Sequence, residues 1–318
     1  VPAPIGDQDS IGRPGSIFVA TYARLARSSA TPIGNSQTNA GVDRGDRAER
    51  RRAGPGTGNS LSSEATCTNS SLDRTMSESP ITADITYNLC DMTEWDDVNA
   101  DIAITDPPFG LEFDGKASNY NRDTSRVVDG YVEWESDAYG EKIRSLLDVL
   151  ARNTHSEGQG IVFSGKDNSH LVHQAVLDHP EWRLEGKLYW AYNFAPYCKL
   201  RPAHNVYELY WIVKGDDWYY SNECSYEHCQ DGEANLSTLQ IKRNYLKGMP
   251  KYPTRLPPKL VKVLLEHFTR EGDTVFDPLA GSGAVGVVSA QQNREAVMGD
   301  LNAEAKRVFT ETLESLAE

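Results

Sequence analysis

The stretch from Asp273 to Asp300 limits the fold more than any other part of the chain. It reads Asp273-Thr274-Val275-Phe276-Asp277-Pro278-Leu279-Ala280-Gly281-Ser282-Gly283, then the apolar Ala284-Val285-Gly286-Val287-Val288, then Ala296-Val297-Met298-Gly299-Asp300. That is a strand, a tight glycine loop, an apolar helix and a second strand ending in an acid. Such a unit joins parallel strands through a crossover. The glycines let backbone approach a ligand closely, and Asp300 follows at the distance where a carboxylate meets ribose hydroxyls. No Lys follows the loop as in a phosphate-binding loop, and Asp277 at its start repels a pyrophosphate. A nucleoside carrying an amino-acid ammonium on an uncharged linker fits better. S-adenosylmethionine is such a ligand.

The rest of the chain extends this pattern. Hydrophobic periodicity predicts strands at 85–89, 102–105, 160–164, 184–192, 206–213, 275–277 and 296–299. It predicts helices at 138–152, 168–177, 259–269, 284–292 and 303–316. The alternation implies an α/β fold with a Rossmann-like, mostly parallel sheet. Ligands in such sheets sit at the carboxyl ends of strands. Asp91, Asp106, Asp277 and Asp300 each follow or end a predicted strand, so they are expected on one edge.

Asp106-Pro107-Pro108-Phe109 closes the apolar run at 101–105. An acid at a strand end can accept one N–H of an exocyclic base amine. Two prolines fix φ and remove backbone donors, which presents the Pro107 carbonyl without a competing N–H. The ring of Phe109 offers a face on which an extruded base can stack. The plain alternative is a strand, a Pro-Pro turn and a core Phe.

Together the two motifs resemble DNA amino-methyltransferases of the permuted, beta-type order. There the acidic Pro-Pro-aromatic motif precedes the glycine loop and the target-recognition segment lies between; here 171 residues separate Asp106 from Asp277. Tyr252-Pro253-Thr254-Arg255-Leu256-Pro257 resembles the family's His-Pro-Thr-x-Lys-Pro element, departing at Tyr252 and Leu256. Asn205-Val206-Tyr207-Glu208 resembles its Asn-x-x-Glu strand. The resemblance covers about residues 80–318. It implies an S-adenosylmethionine-dependent enzyme acting on double-stranded DNA, with Asp106, Pro107, Pro108 and Phe109 catalytic. It implies cofactor contacts from Asp277, Pro278, Leu279, Ala280, Gly281, Ser282, Gly283, Asp300, Thr254 and Asp91.

The same resemblance leaves the target amine open. Asp at the first motif position is common in adenine-N6 enzymes. The acidic chain as a whole is similar to haloarchaeal modification methylases for the palindrome CTAG, which act on cytosine N4, and cytosine N4 is the expectation. Such methylases are monomers or homodimers and can have a cognate restriction endonuclease as a genetic partner. A protein or RNA methyltransferase is the competing class, but there the glycine loop normally comes first. Cofactor binding without catalysis is at odds with the intact motif at Asp106.

Composition bounds the remainder. The chain has 318 residues with 32 basic and 46 acidic side chains. The first 75 residues hold 9 basic and 7 acidic ones, no Lys and no His, and read as a low-complexity, disordered extension with a short apolar stretch at 17–26. The catalytic domain is expected over 76–318. That domain carries an excess of sixteen negative charges, which a high-salt cytoplasm would explain. No run of eighteen apolar residues and no cationic leader is present, so neither a membrane span nor secretion is expected. Five cysteines, an odd count, suggest reduced thiols; the spacing of Cys198, His204, Cys224, His228 and Cys229 is not that of a common zinc site, so no metal is expected. No Pro-Cys dipeptide occurs, which disfavours methylation of cytosine carbon 5. Target recognition is expected between about 197 and 250, with Lys199, Arg201, Lys242 and Arg243 as DNA contacts.

Overall fold

The structure, a computed structural model, describes residues 83–111, 133–192, 199–200, 202–224, 237–243, 252 and 254–317. The chain divides into two units, Val1–Ser62 and Ser63–Glu318, and every described residue belongs to the second. The extension expected over 1–75, its apolar stretch at 17–26, and Arg201 lie outside the described residues.

Eight strands form one sheet: β1 (Ile85–Leu89), β2 (Ala100–Thr105), β3 (Thr154–Ser164), β4 (Arg183–Ala191), β5 (Val206–Val213), β6 (Thr238–Gln240), β7 (Thr274–Asp277) and β8 (Glu295–Asp300). Five helices accompany them: α1 (Tyr139–Asn153), α2 (Ser169–Asp178), α3 (Pro258–Phe268), α4 (Ala284–Gln291) and α5 (Ala303–Ala317). The spatial order is β1-β8-β7-β2-β3-β5-β4-β6. β1, β8, β7, β2 and β3 pair in parallel, β5 runs antiparallel to β3 and β4, and β6 pairs in parallel with β4. The fold is therefore the expected α/β architecture with a mostly parallel sheet.

The strands alternate their side chains between two apolar layers. Ile102 and Ile104 of β2 join Ile161, Phe163 and Val275 against Leu260, Val261 and Leu264 of α3. Ala103, Val162 and Phe276 face the other way, toward Ile143, Leu147 and Leu150 of α1 and Val172 and Val176 of α2. The helices fit these layers because of their spacing. In α1 the buried Tyr139, Ile143, Leu146, Leu147 and Leu150 recur on one face. α3 starts with Pro258 in its first turn, where a missing N–H costs nothing.

Two features depart from the sequence reading. Cys90 and Cys224 each take part in a disulfide, which corrects the expectation of reduced thiols: an odd count still allows four of five to pair. The short strand β6 has no counterpart among the expected elements. Its three residues, Thr238, Leu239 and Gln240, are too few to show a period, and it exists because β4 offers a free edge. Both β5 and β6 lie inside the stretch expected to recognise DNA, yet both are integral to the central sheet.

The glycine loop is closed by a contact from the far end of the chain. Gly283 has a φ of +71°, and a Cβ there would lie 2.3 Å from the Phe309 ring on α5. Gly283→Ala therefore meets both left-handed strain and a steric clash. It should lower unfolding stability by about 1–3 kcal/mol, read by urea denaturation followed by circular dichroism.

Candidate active site

Neighbouring strands bring the two motifs together. Ile102 pairs with Val275 and Ala103 with Phe276, so β2 and β7 end side by side. From there β7 leads to β8 on one side, and β2 leads to β3 on the other. A crevice opens outside strand ends at such a reversal. Here it holds a cavity of about 400 Å³ whose lining includes Asp91, Asp106, Phe109, Tyr252, Gly281 and Asp300. Pro107, Pro108, Pro278, Leu279 and Thr254 also line it. A smaller recess of about 50 Å³ between Asp106 and the glycine loop adds Asp277, Ala280 and Ser282. Residues expected at opposite ends of the motif map thus share one site.

The glycine loop is held from several directions. Asp300 Oδ2 accepts from the Gly281 amide at 2.9 Å, and Tyr87 Oη donates to the Gly281 carbonyl at 2.6 Å. Asp300 Oδ1 accepts from the Asn302 amide, and Asp277 Oδ1 from the Leu279 amide. Arg255 donates to the hydroxyls of Ser282 and Thr312, bracing the loop against α5. Its guanidinium is engaged inward. Gly283 does not line the cavity; it caps α4 behind the loop. Asp91 Oδ1 accepts from the amide and hydroxyl of Thr93, so Asp91 caps the short 3-10 turn after β1 while still bordering the cavity.

The Asp106 loop is fixed just as firmly. Asn168 at the start of α2 donates to the Phe109 and Gly110 carbonyls, and Glu133 accepts from the Gly110 amide at 2.8 Å. The Phe109 ring lies 5.4 Å from the Tyr207 ring. Asp106 Oδ1 is sealed from solvent and, among the described residues, has no hydrogen-bond partner. Burial pushes the Asp106 carboxyl up to about 7; Arg243 opposes this and Glu133 adds to it. Burial also pushes Asp277 up to about 8, with the Asp106 and Asp300 carboxylates adding to the rise. The site is thus a cluster of buried carboxyls, with Arg255 and Lys142 the cations on its lining.

Sequence reasoning missed several of these residues. Glu133 and Trp134 line the cavity, but nothing in their spacing marks them. Asn168 carries a helix-start signal without a hint that it also holds Phe109. Tyr252, where the family pattern has His, still lines both cavities. The expected DNA contacts divide. Lys199 and Lys242 are exposed and outside the cavity. Arg243 is half-buried, with its guanidinium 5.0–5.4 Å from the ring centres of Trp190, Tyr192 and Tyr207.

Residues 100–311 match the DNA methylase family of the N6/N4 type. The chain belongs to that family. This methylase is 26% identical over 229 residues to the type II methyltransferase M2.DpnII of Streptococcus pneumoniae, covering 68% of this chain and 82% of that one. It is 29% identical over 131 residues to the type II methyltransferase M.XycI of Xanthomonas campestris pv. cyanopsidis, spanning 41% of this chain and 44% of that relative. Its fold resembles M1.HpyAVI, solved in complex with SAM, at a TM-score of 0.53 and 17% identity over 72% of this chain and 98% of that one. The cytosine-N4-specific PvuII DNA methyltransferase gives a TM-score of 0.53 at 16% identity, over 76% and 96%. Methylases of this family use S-adenosylmethionine. Among the described residues, no helix of the methylase is long and apolar enough to cross a membrane.

The cavity fits that cofactor by charge. The Asp106 and Asp300 carboxylates raise the protonation range of Asp277, and a cationic ligand relieves this. Because the folded protein binds a proton at Asp277 that the unfolded chain releases, ionisation there costs stability as pH rises from about 4 toward about 8. Asp277→Asn keeps an acceptor for the Leu279 amide and removes this cost. The variant should melt several degrees higher than the parent at pH 8.5, and the gap should close as pH falls to about 4, read by calorimetry. A gap independent of pH counts against the buried-charge account.

Proposed function

We propose that this methylase transfers a methyl group from S-adenosylmethionine to cytosine N4 in a short DNA palindrome such as CTAG. The observation that carries the reading is the unpartnered, sealed Asp106 Oδ1 between the Phe109 ring and the glycine loop. An acceptor in that position lacks only a donor, and an extruded base amine provides one.

Residues of the chain then take definite roles. Asp277, Pro278, Leu279, Ala280, Gly281, Ser282, Thr254, Asp91 and Asp300 form the cofactor wall, with Gly283 supporting the loop from behind. Asp277 receives the ammonium, and Asp300 meets the ribose hydroxyls while fixing Gly281. S-adenosylmethionine supplies an electrophilic methyl group when bound. The ionised Asp106 accepts one N–H of the target amine and the Pro107 carbonyl the other. Both hold the nitrogen lone pair toward the cofactor wall, so the gain comes from orientation and preorganised charge. Phe109, backed by Tyr207, offers the stacking face.

The beta-type order is part of this proposal, supported by β2 preceding β7 in the chain while adjoining it in the sheet. Residues 76–318 form the catalytic domain, and loops within about 197–250, with Lys199, Arg201 and Lys242, contact DNA. A cognate restriction endonuclease as genetic partner and a cytoplasmic location belong to the same reading. Adenine N6 is the second reading, favoured by Asp rather than Ser at position 106.

Duplex DNA methylated by the protein and digested to nucleosides should yield N4-methyldeoxycytidine by mass spectrometry. Asp106→Ala should abolish the product, a loss of more than about a thousandfold, while cofactor affinity changes little. N6-methyldeoxyadenosine overturns the cytosine assignment, and undiminished transfer by the variant overturns the role of Asp106.

The acidic balance favours a halophile. At low ionic strength an excess of sixteen negative charges repels both itself and phosphate. Melting temperature and methyl transfer should both rise from dilute buffer toward molar KCl. Full activity in dilute buffer removes the halophilic assignment.

A further inference from the structure

Behind Phe109, outside the lining of the crevice, runs a chain of rings ending in a cation. Phe109 lies 5.4 Å from Tyr207, and Tyr207 stacks on Trp190 at 5.2 Å and 19°. Tyr192 packs against both. The Arg243 guanidinium is enclosed by Trp190, Tyr192 and Tyr207, and its Nη2 donates to Tyr207 Oη at 2.7 Å. The backbone delivers it there: Ile241 N donates to the Ala191 carbonyl, and Trp190 Nε1 donates to the Ile241 carbonyl at 2.7 Å. A guanidinium so placed is not free to read base edges in a groove. Its charge acts instead on the Asp106 carboxyl, the acceptor that no hydrogen bond completes.

We propose that Arg243 is a positioning residue for methyl transfer: a ring-caged cation that fixes the charge of Asp106 and, through Tyr207, the attitude of Phe109. This rests on the reading of Asp106 as acceptor of the target amine. Lys142 on α1 lines the same cavity, but Arg243 is the cation that acts on the Asp106 carboxyl; the other groups coupled to Asp106 are Glu133 ahead of α1, Tyr139 on α1 and Asp277 on β7. Glu133 and Asp277 are acids and Tyr139 is neutral in the working range, so none of them supplies positive charge. The Arg255 guanidinium, which borders the same recess, is engaged by Ser282 and Thr312.

The test compares the parent with Arg243→Met and Arg243→Lys. Removing the cation lets burial act unopposed, so Asp106 ionises at higher pH. The acid limb of the kcat profile for methyl transfer should move up by about one unit in the Met variant. The rate should fall about tenfold at pH 6.5 and recover toward the parent above about pH 9. Lys should hold the limb near the parent's position. A second readout needs no DNA: carbon-13 NMR of Asp-labelled protein, with the Asp106 signal assigned by its loss in Asp106→Asn, should show the same displacement. Should Met unfold the protein, Arg243→Gln gives the same two readings. Weaker DNA binding with an unmoved acid limb overturns the proposal in favour of a DNA contact. An Asp106 titration unchanged between parent and variant also overturns it. If the parent methylates no DNA while the NMR displacement is present, the link between Arg243 and Asp106 stands and the DNA methylation reading falls.

Discussion

Everything at the site depends on one pairing, the parallel contact of β2 with β7. Two residue pairs, Ile102 with Val275 and Ala103 with Phe276, set where both strands stop. Because the chain leaves them in opposite directions, neither loop covers the other, and the crevice stays open. Asp106 and Asp277 face each other across it as a consequence of register. A one-residue slip would turn Ile102 and Ile104 out of their apolar layer, so the core that stabilises the sheet also fixes the site.

That placement creates an electrostatic problem. Carboxyls at adjoining strand ends are desolvated together, and burial drives both Asp106 and Asp277 toward neutral pH. Hydrogen bonds from the Leu279, Gly281 and Asn302 amides satisfy part of Asp277 and Asp300. Among the described residues, nothing comparable reaches Asp106 Oδ1. A site assembled this way is costly when empty and relieved by a cationic ligand. That relief comes from solvation rather than from a specific clamp.

Much of this was legible in the sequence, for identifiable reasons. β1 and β5 begin and end where their hydrophobic runs do, and the other long elements fall within two residues of expectation except β3, which begins at Thr154, six residues before its apolar run, because burial on one face or two writes a period into the sequence. The acids at strand ends were legible because a parallel sheet sends all its carboxyl ends to one edge. What escaped lacks a period. β6 is three residues recruited by the edge of β4. Arg243 has the composition of a DNA contact, and only the folding of β4, β5 and β6 into one edge reveals the rings around it. Arg255 likewise belongs to a run of basic residues along the chain but to the glycine loop in space.

The sheet order also bears on how the molecule comes into being. β1, near the start of the described fold, pairs with β8, joining Ile85 to Ala296. β2 has no partner on one side until β7 exists. During synthesis the ribosome therefore releases β2, β3, β4 and β5 long before the strands that complete the sheet. Pairings across so many intervening residues form slowly, and unpaired edges invite association meanwhile. The crevice, lying between the early and late halves, is the last part of the molecule to assemble. A nascent chain of this methylase stays without a competent site until the strand that ends in Asp300 has emerged.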